Sequence, residues 1–128
     1  MPFAFEKLLV YQKSVTLTDA VCVATKEFPR GYYFLADQLK RAALPIATNL
    51  AEGNGRFTAP DRRNFFGIAR ASVQECVPLL DIAMRRQLLA PDAHARLIAE
   101  LEEISRMVSG LIKRLDRRTA VERARSID

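Results

Sequence analysis

Apolar residues recur along this chain in steps of three and four, the spacing that places them on one face of a helix. The pattern predicts four amphipathic helices, over residues 5–27, 32–52, 61–89 and 92–116. No segment of the sequence alternates apolar and polar residues for long enough to predict a strand. Because the connections are short, sequential helices are expected to pack antiparallel. The sequence therefore predicts an all-α fold, an antiparallel up-down four-helix bundle.

Prolines and polar segments divide this pattern. Pro29 ends the first helix, since proline cannot continue the hydrogen-bond ladder and disfavours helix at the residue before it. Pro45 and Pro78 lie inside helices, where the apolar rhythm continues past them, so each predicts a bend rather than a break. A length of 128 residues fits one domain. We expect residues 1–116 to form this bundle domain and the polar residues 117–128 to form a fraying tail.

The stretch "NLAEGNGR", residues 49–56, contains two glycines one residue apart and could be mistaken for a phosphate-binding loop. Such a loop lies between a strand and the start of a helix, whereas these glycines follow a predicted helix. Gly53 fits the left-handed position just past a helix end. Thr58 can cap the next helix, with Pro60 in its first turn. The stretch therefore predicts a helix end and a turn.

Four polar residues interrupt the apolar faces on either side of this turn. Inward polar groups need partners, so we predict a structural hydrogen-bonded cluster. The alternative is a pair of carboxylates that perform acid–base catalysis. The sequence shows neither a histidine nor a nucleophile with a base at helical spacing nearby, which favours a non-enzymatic protein. The predicted cluster consists of Asn49, Glu52, Ser72 and Glu75.

Composition narrows the function further. The formal net charge is +5, and Arg outnumbers Lys 15 to 5, which suits an anionic partner because guanidinium matches phosphate geometry. Cys22 and Cys76 are expected to be reduced core residues, and the single His94 cannot complete a zinc site, so no metal or cofactor is predicted. The sequence also shows neither a signal-peptide pattern nor an apolar run of membrane-spanning length, so we expect a cytoplasmic protein.

Several motifs together resemble a known family of small four-helix bundles. They are "FEKLLVYQKS", "FP", "QLKRAA", "NLAEGNGR" and "FFGIARASVQE", and the resemblance covers most of residues 5 to about 89. The family includes proteins encoded in intervening sequences of bacterial 23S rRNA genes and the accessory variability proteins of diversity-generating retroelements. The resemblance implies a homo-oligomer, often a ring of five subunits, with a basic surface that associates with RNA or DNA. For the retroelement branch it implies a reverse transcriptase partner.

Three groups of cations are candidates for contacts with nucleic-acid phosphates. One surrounds the turn after the second helix, and one lies at the end of the fourth helix. The third is a candidate only because of the family resemblance. Arginines near a helix C-terminus also stabilise the helix dipole, which is a structural explanation for the second group. The candidates are Arg56, Arg62 and Arg63, then Lys113, Arg114, Arg117 and Arg118, and finally Lys40 and Arg41.

A protein–protein adaptor is the rival interpretation. Beside its main seam the fourth helix carries Ile98, Met107 and Ile112, more apolar surface than one bundle face requires. That surplus would serve a protein partner or self-assembly equally well.

Overall fold

The computed structural model describes residues 3–126, which form four long helices and no strand within that range. The helices are α1 (Leu9–Lys26), α2 (Tyr33–Asn54), α3 (Ala59–Arg85) and α4 (Pro91–Ser126). Short 3-10 helices at Ala4–Lys7 and Arg30–Tyr32 precede α1 and α2. Each long helix packs against the next, and α1 also packs against α4, which closes the bundle. The predicted all-α four-helix bundle is confirmed.

The core lies along the bundle axis and takes side chains from all four helices. Every long helix contributes residues at steps of three or four, so the sequence periodicity maps directly onto burial. Removing one such side chain from water contributes about 1.5–3 kcal/mol. The largest fully buried side chains include Leu17, Val21, Leu39, Ile46, Leu50, Phe66, Leu80, Leu101 and Ile104.

The last helix is longer than the sequence pattern predicted. It continues to Ser126, so the predicted helix end at Asp116 was wrong, and residues 117–126 are helical although almost all exposed. This segment contains neither Gly nor Pro and is rich in Arg, Ala and Glu, which are good helix formers. Arg118 and Glu122 add an ion pair at helical spacing, 3.9 Å apart. Residues 1–2 and 127–128, parts of the predicted domain and tail, lie outside the described residues.

The third helix ends earlier than predicted, at Arg85 instead of residue 89. Gln87 adopts a positive φ of 63°, and Leu88 N–H donates to the Ala83 carbonyl at 2.9 Å. This is the hydrogen-bond arrangement of a Schellman helix end. Because the left-handed position holds Gln rather than Gly, the sequence carried no ordinary stop signal there. Pro45 and Pro78 lie inside helices that continue through them.

The glycine pair does mark the end of α2, but Gly53 has a different role from the one predicted. It is buried inside the helix and has a negative φ, so the left-handed interpretation was wrong. A Cβ at this position would lie 2.8 Å from the Phe66 ring and 3.0 Å from Phe65 Cβ. Gly53 therefore allows α3 to pack closely against the last turn of α2. Gly55 forms the helix cap and donates its N–H to the Ala51 and Glu52 carbonyls.

The two cysteines differ in environment. Cys76 is buried as predicted, whereas Cys22 is exposed, so its assignment to the core was wrong. Burial raises the pKa of the Cys76 thiol to about 12, and the charge of Glu75 adds to that shift. Cys22 lies on the outward side of α1, where a small apolar residue need not be covered.

Replacing Gly53 with Ala is expected to destabilise the fold by about 1–3 kcal/mol, since the new methyl group overpacks against Phe66. The matched control is Gly55→Ala, where a Cβ meets backbone oxygens at ordinary distances of 3.7 and 3.8 Å and φ is −89°. We expect that variant to unfold near the wild-type midpoint. Urea unfolding followed by circular dichroism measures both. Equal midpoints for the two variants would contradict the close-packing role of Gly53.

A thiol reagent should distinguish the two cysteines. In the native protein at neutral pH, Ellman's reagent is expected to titrate Cys22 rapidly and Cys76 only after unfolding, because the buried thiol stays protonated. Cys22→Ser removes the fast phase and leaves the slow one. A fast phase that persists in this variant would show that Cys76 is accessible.

Candidate nucleic-acid interface

The antiparallel helix order brings three separate stretches of sequence to one end of the bundle. This basic end, as we define it, consists of residues 3–7, 52–63 and 113–126. Arg63 Nε of α3 donates to Asp116 Oδ1 of α4 at 2.8 Å, which fixes the two helices side by side there. Further towards the tip, Phe57 and Thr58 share a cavity with Arg118 and Arg123. Two of the three predicted cation groups are therefore neighbours in the fold.

The positive charge of the chain is concentrated at this end. Its three stretches hold ten Lys or Arg against five Asp or Glu, an excess of five. The other described residues, 8–51 and 64–112, hold ten Lys or Arg against nine Asp or Glu, so they are close to neutral. A modest overall charge thus becomes a strong local one, which attracts anions over about one Debye length.

Two arginines beside the turn are held by contacts within the chain. Arg56 Nη2 donates to Glu52 Oε1 at 2.6 Å, and its guanidinium lies 4.6 Å from the centre of the Phe65 ring. Arg62 Nη2 donates to Asn54 Oδ1 at 3.4 Å. In the described part of the chain, the Nε atoms of both arginines are buried and make no hydrogen bond. These contacts fix where the two cations lie and leave them less free to follow a ligand.

Arg63 both connects α3 to α4 and carries one of the positive charges of the basic end. The hydrogen bond that Arg63 donates to Asp116, and the negative charge of that carboxylate, raise the pKa of the Arg63 guanidinium, which is exposed. The pair neutralises one cation of the basic end. Its main consequence is geometric, since it aligns the start of α3 with the later turns of α4.

The cations of α4 are the most available of the predicted residues. Lys113, Arg114 and Arg117 are exposed, and within residues 3–126 none of them forms an ion pair. A helix dipole acts only within the last turn, and α4 runs to Ser126, so the dipole does not account for these side chains. The longer helix thereby weakens the structural explanation that the sequence left open.

Sequence reasoning missed three cations of this end, one of which is Lys7 in the 3-10 helix before α1. Arg123 and Arg125 lie on the final turns of α4, in the segment expected to fray. The helix-forming residues of this segment could have indicated that both arginines lie on a helix. Its polar composition led instead to the prediction of a fraying tail. Lys40 and Arg41, in contrast, lie on α2 roughly 18 Å along the helix from Glu52, outside the basic end. Arg41 Nε is paired with Asp37 Oδ2 at 2.8 Å.

The helix start at the turn is capped as predicted. Thr58 Oγ1 accepts a hydrogen bond from the Asp61 N–H at 3.3 Å, with Pro60 in the first turn. Asp61 places a carboxylate beside the positive helix end, so the α3 N-terminus is already partly compensated.

The four residues of the predicted cluster have different partners and environments. Asn49 Nδ2 donates to the Pro45 carbonyl at 2.7 Å, and Glu52 pairs with Arg56. Ser72 is buried and Glu75 is exposed. The hydrogen bonds of the described residues link none of the four to another, because each polar group of α2 finds a partner within its own helix turn.

An acid–base arrangement occurs elsewhere. His94 Nε2 and Asp81 Oδ1 lie 2.7 Å apart and connect α4 to α3, far along the bundle from the glycine turn. Over residues 3–126 no group of three or more His, Cys, Asp or Glu is placed to hold a metal ion. In the same range, no helix is long and apolar enough to cross a membrane.

The fold and this surface define a class: a small all-helical bundle protein with one strongly basic end. A solved structure supports the fold. It is a protein of unknown function from the S23 ribosomal protein family of Bacteroides thetaiotaomicron, with a TM-score of 0.72 and 20% sequence identity over 81% of this chain and 98% of that one.

The sequence assigns the family. Residues 6–110 match the family described as 23S rRNA-intervening sequence protein, so the chain belongs to this family, as the motifs indicated. The comparison with curated proteins gave no match. The matched region ends before Lys113, so the α4 part of the basic end lies beyond it.

Proposed function

We propose that this protein is a non-enzymatic, oligomeric nucleic-acid-associated protein that holds phosphates at its basic end. The observation that carries the proposal is the segregation of charge, with an excess of five positive charges at one end of a bundle whose other described residues are close to neutral. The family description, which names an intervening sequence of 23S rRNA, supports a nucleic-acid role.

The chemistry of the basic end favours phosphates over bases. Its cations are mostly arginines on a helix surface, which present donors to an extended anionic backbone rather than to one buried group. Contacts of this kind release counterions and carry little sequence preference. The protein would therefore associate with many sequences and respond strongly to salt.

Self-association is the second part of the proposal. The outer faces of α1 and α2 expose Val15, 44% accessible, and Leu44, 57% accessible, beside a cavity of about 450 Å³. A second copy of this chain would cover these side chains, and a ring would present several basic ends to one nucleic acid. Such multivalency strengthens binding without new contacts.

The resemblance to the retroelement branch adds a finer proposal. An accessory to a reverse transcriptase would work in the cytoplasm and hold the template or its product near the enzyme. Neighbouring genes for a reverse transcriptase or an rRNA operon would distinguish the two genomic settings.

The adaptor alternative has lost part of its basis. Ile112 is buried at 3% accessibility, and Ile98 and Met107 pack partly buried against the core. The apolar surplus of α4 that suggested a protein partner is thus largely used within the chain.

A salt titration with matched variants tests the nucleic-acid proposal. Arg114→Ala/Arg117→Ala removes two cations from the basic end, and Arg96→Ala/Arg106→Ala removes two exposed arginines from the same helix outside that end. Fluorescence anisotropy with a labelled oligonucleotide is expected to give a log–log salt dependence that is shallower by roughly one unit per lost phosphate contact in the first variant only. Equal slopes in the two variants, or absence of binding at low salt, would contradict the proposal and favour the adaptor.

Light scattering tests self-association. We expect a pentamer of five 14.4 kDa chains, or about 72 kDa, with Leu44→Glu shifting the mass towards one chain. The control Ile82→Glu places the same charge on an exposed residue of α3 and should leave the mass unchanged. A mass of one chain at all concentrations would refute the oligomer.

A further inference from the structure

The turn between α2 and α3 projects a phenylalanine into solvent. Phe57 has a relative accessibility of 101%, so its ring makes almost no contact with the rest of the protein. Turn positions usually hold Gly, Pro, Asn, Asp or Ser, and a phenylalanine stabilises a fold only when its ring is buried. The fold gains nothing from this ring where it stands.

Phe57 lines two cavities at the basic end that differ in their side chains. One has a volume of about 560 Å³ and is lined by Phe57 together with Phe3 and Phe5, with Glu52 and Asp61 at its polar part. The rings of Phe3 and Phe5 are stacked, 5.5 Å apart with an interplanar angle of 17°. The other has a volume of about 530 Å³ and is lined by Phe57 with Arg118, Glu122 and Arg123. Phe57 is therefore shared by an aromatic cavity and a cavity that contains two arginines.

These two cavities match the two parts of a nucleotide. A base has a flat apolar face, which stacks on aromatic rings, while its phosphate is attracted by arginine. The aromatic cavity also contains Asn54 and Asp61, whose oxygens can accept hydrogen bonds from the amino groups of a base edge. Its volume lies within the ordinary range for small-molecule sites of about 300–1,000 Å³.

A double helix cannot use this arrangement. Paired bases are stacked on each other, so their faces are hidden from a protein, whereas an unpaired base can be splayed onto an aromatic side chain. The exposed ring would therefore distinguish single-stranded from double-stranded nucleic acid, which the cations alone would not do.

We propose that Phe57 stacks on an unpaired base, and that the basic end binds single-stranded nucleic acid with the adjoining phosphates on Arg118 and Arg123. This inference rests on the proposed function and narrows its substrate class. Burial of the ring by a second copy is less favourable, because two copies meeting at this end would bring like charges together.

The test compares Phe57→Leu with Phe34→Leu. Phe34 is 65% accessible and lies in the first turn of α2, at the opposite end of the bundle, so its replacement removes an exposed ring remote from the basic end. The probes are a fluorescein-labelled oligouridylate and an RNA duplex of equal length. We expect the wild type to prefer the single strand, and Phe57→Leu to weaken its binding at least about fivefold while the salt slope is unchanged. Phe34→Leu is expected to bind as the wild type does, and Phe57→Trp to restore binding.

A direct signature accompanies the affinities. An oligonucleotide containing 2-aminopurine loses fluorescence when its base stacks, so quenching on binding is expected for the wild type and much less for Phe57→Leu. Because the Phe57 ring is fully exposed, Phe57→Leu should melt with the wild type.

The outcomes separate this inference from the broader proposal. Equal affinities for Phe57→Leu and the wild type, duplex binding as tight as single-strand binding, or a smaller assembly in Phe57→Leu would each overturn the stacking role. In those cases a shallower salt slope in Arg114→Ala/Arg117→Ala would still support phosphate binding. Absence of binding to either probe at low salt would overturn both.

Discussion

The close approach of α2 and α3 at Gly53 is the constraint on which the rest of the basic end depends. Since no Cβ is present, the Phe66 ring can lie against the last turn of α2 and remain 2% accessible. That contact anchors the start of α3 immediately after a four-residue turn. Arg56, Phe57 and Thr58 must then lie at the tip of the bundle, because the chain has no length left to place them elsewhere. A packing requirement in the core thus decides what the surface presents.

The length of α4 is the second determinant. Had the helix ended near Asp116, its arginines would have been ordinary partners of a helix dipole. Because it continues to Ser126, they lie within a regular helix, at the same end of the bundle as a turn that carries its own cations. The exposed Arg63–Asp116 pair joins the two helices at this end, where core packing already holds them together. Charge that is spread over three stretches of sequence becomes one surface through this helix packing.

The sequence predicted what periodicity and local turn chemistry control. Four helices, the Thr58 cap and the site of the α2–α3 turn follow from short-range rules, and the structure confirms them. Prediction from the sequence failed where a contact between distant residues, or a partner close by in the same helix, determines the structure. Nothing near Gly53 in the sequence indicates Phe66 as its neighbour, and Gln87 takes a conformation usually reserved for glycine. The polar cluster failed because Asn49 and Glu52 find partners one helical turn away.

Only part of the candidate site could be predicted from the sequence, for a related reason. Individual arginines can be counted in a sequence, but their gathering at one end requires the helix order and the true end of α4. Phe57 was not singled out, since an aromatic residue in a turn is normally expected to fold back onto the core. Its full exposure is a property of the three-dimensional arrangement alone. Like charges crowded at one end cost stability, and three of the acids there are paired with Arg56, Arg63 and Arg118. The chain therefore compensates part of this repulsion locally and leaves Lys113, Arg114 and Arg117 exposed, which is the distribution expected if an external anion completes the compensation.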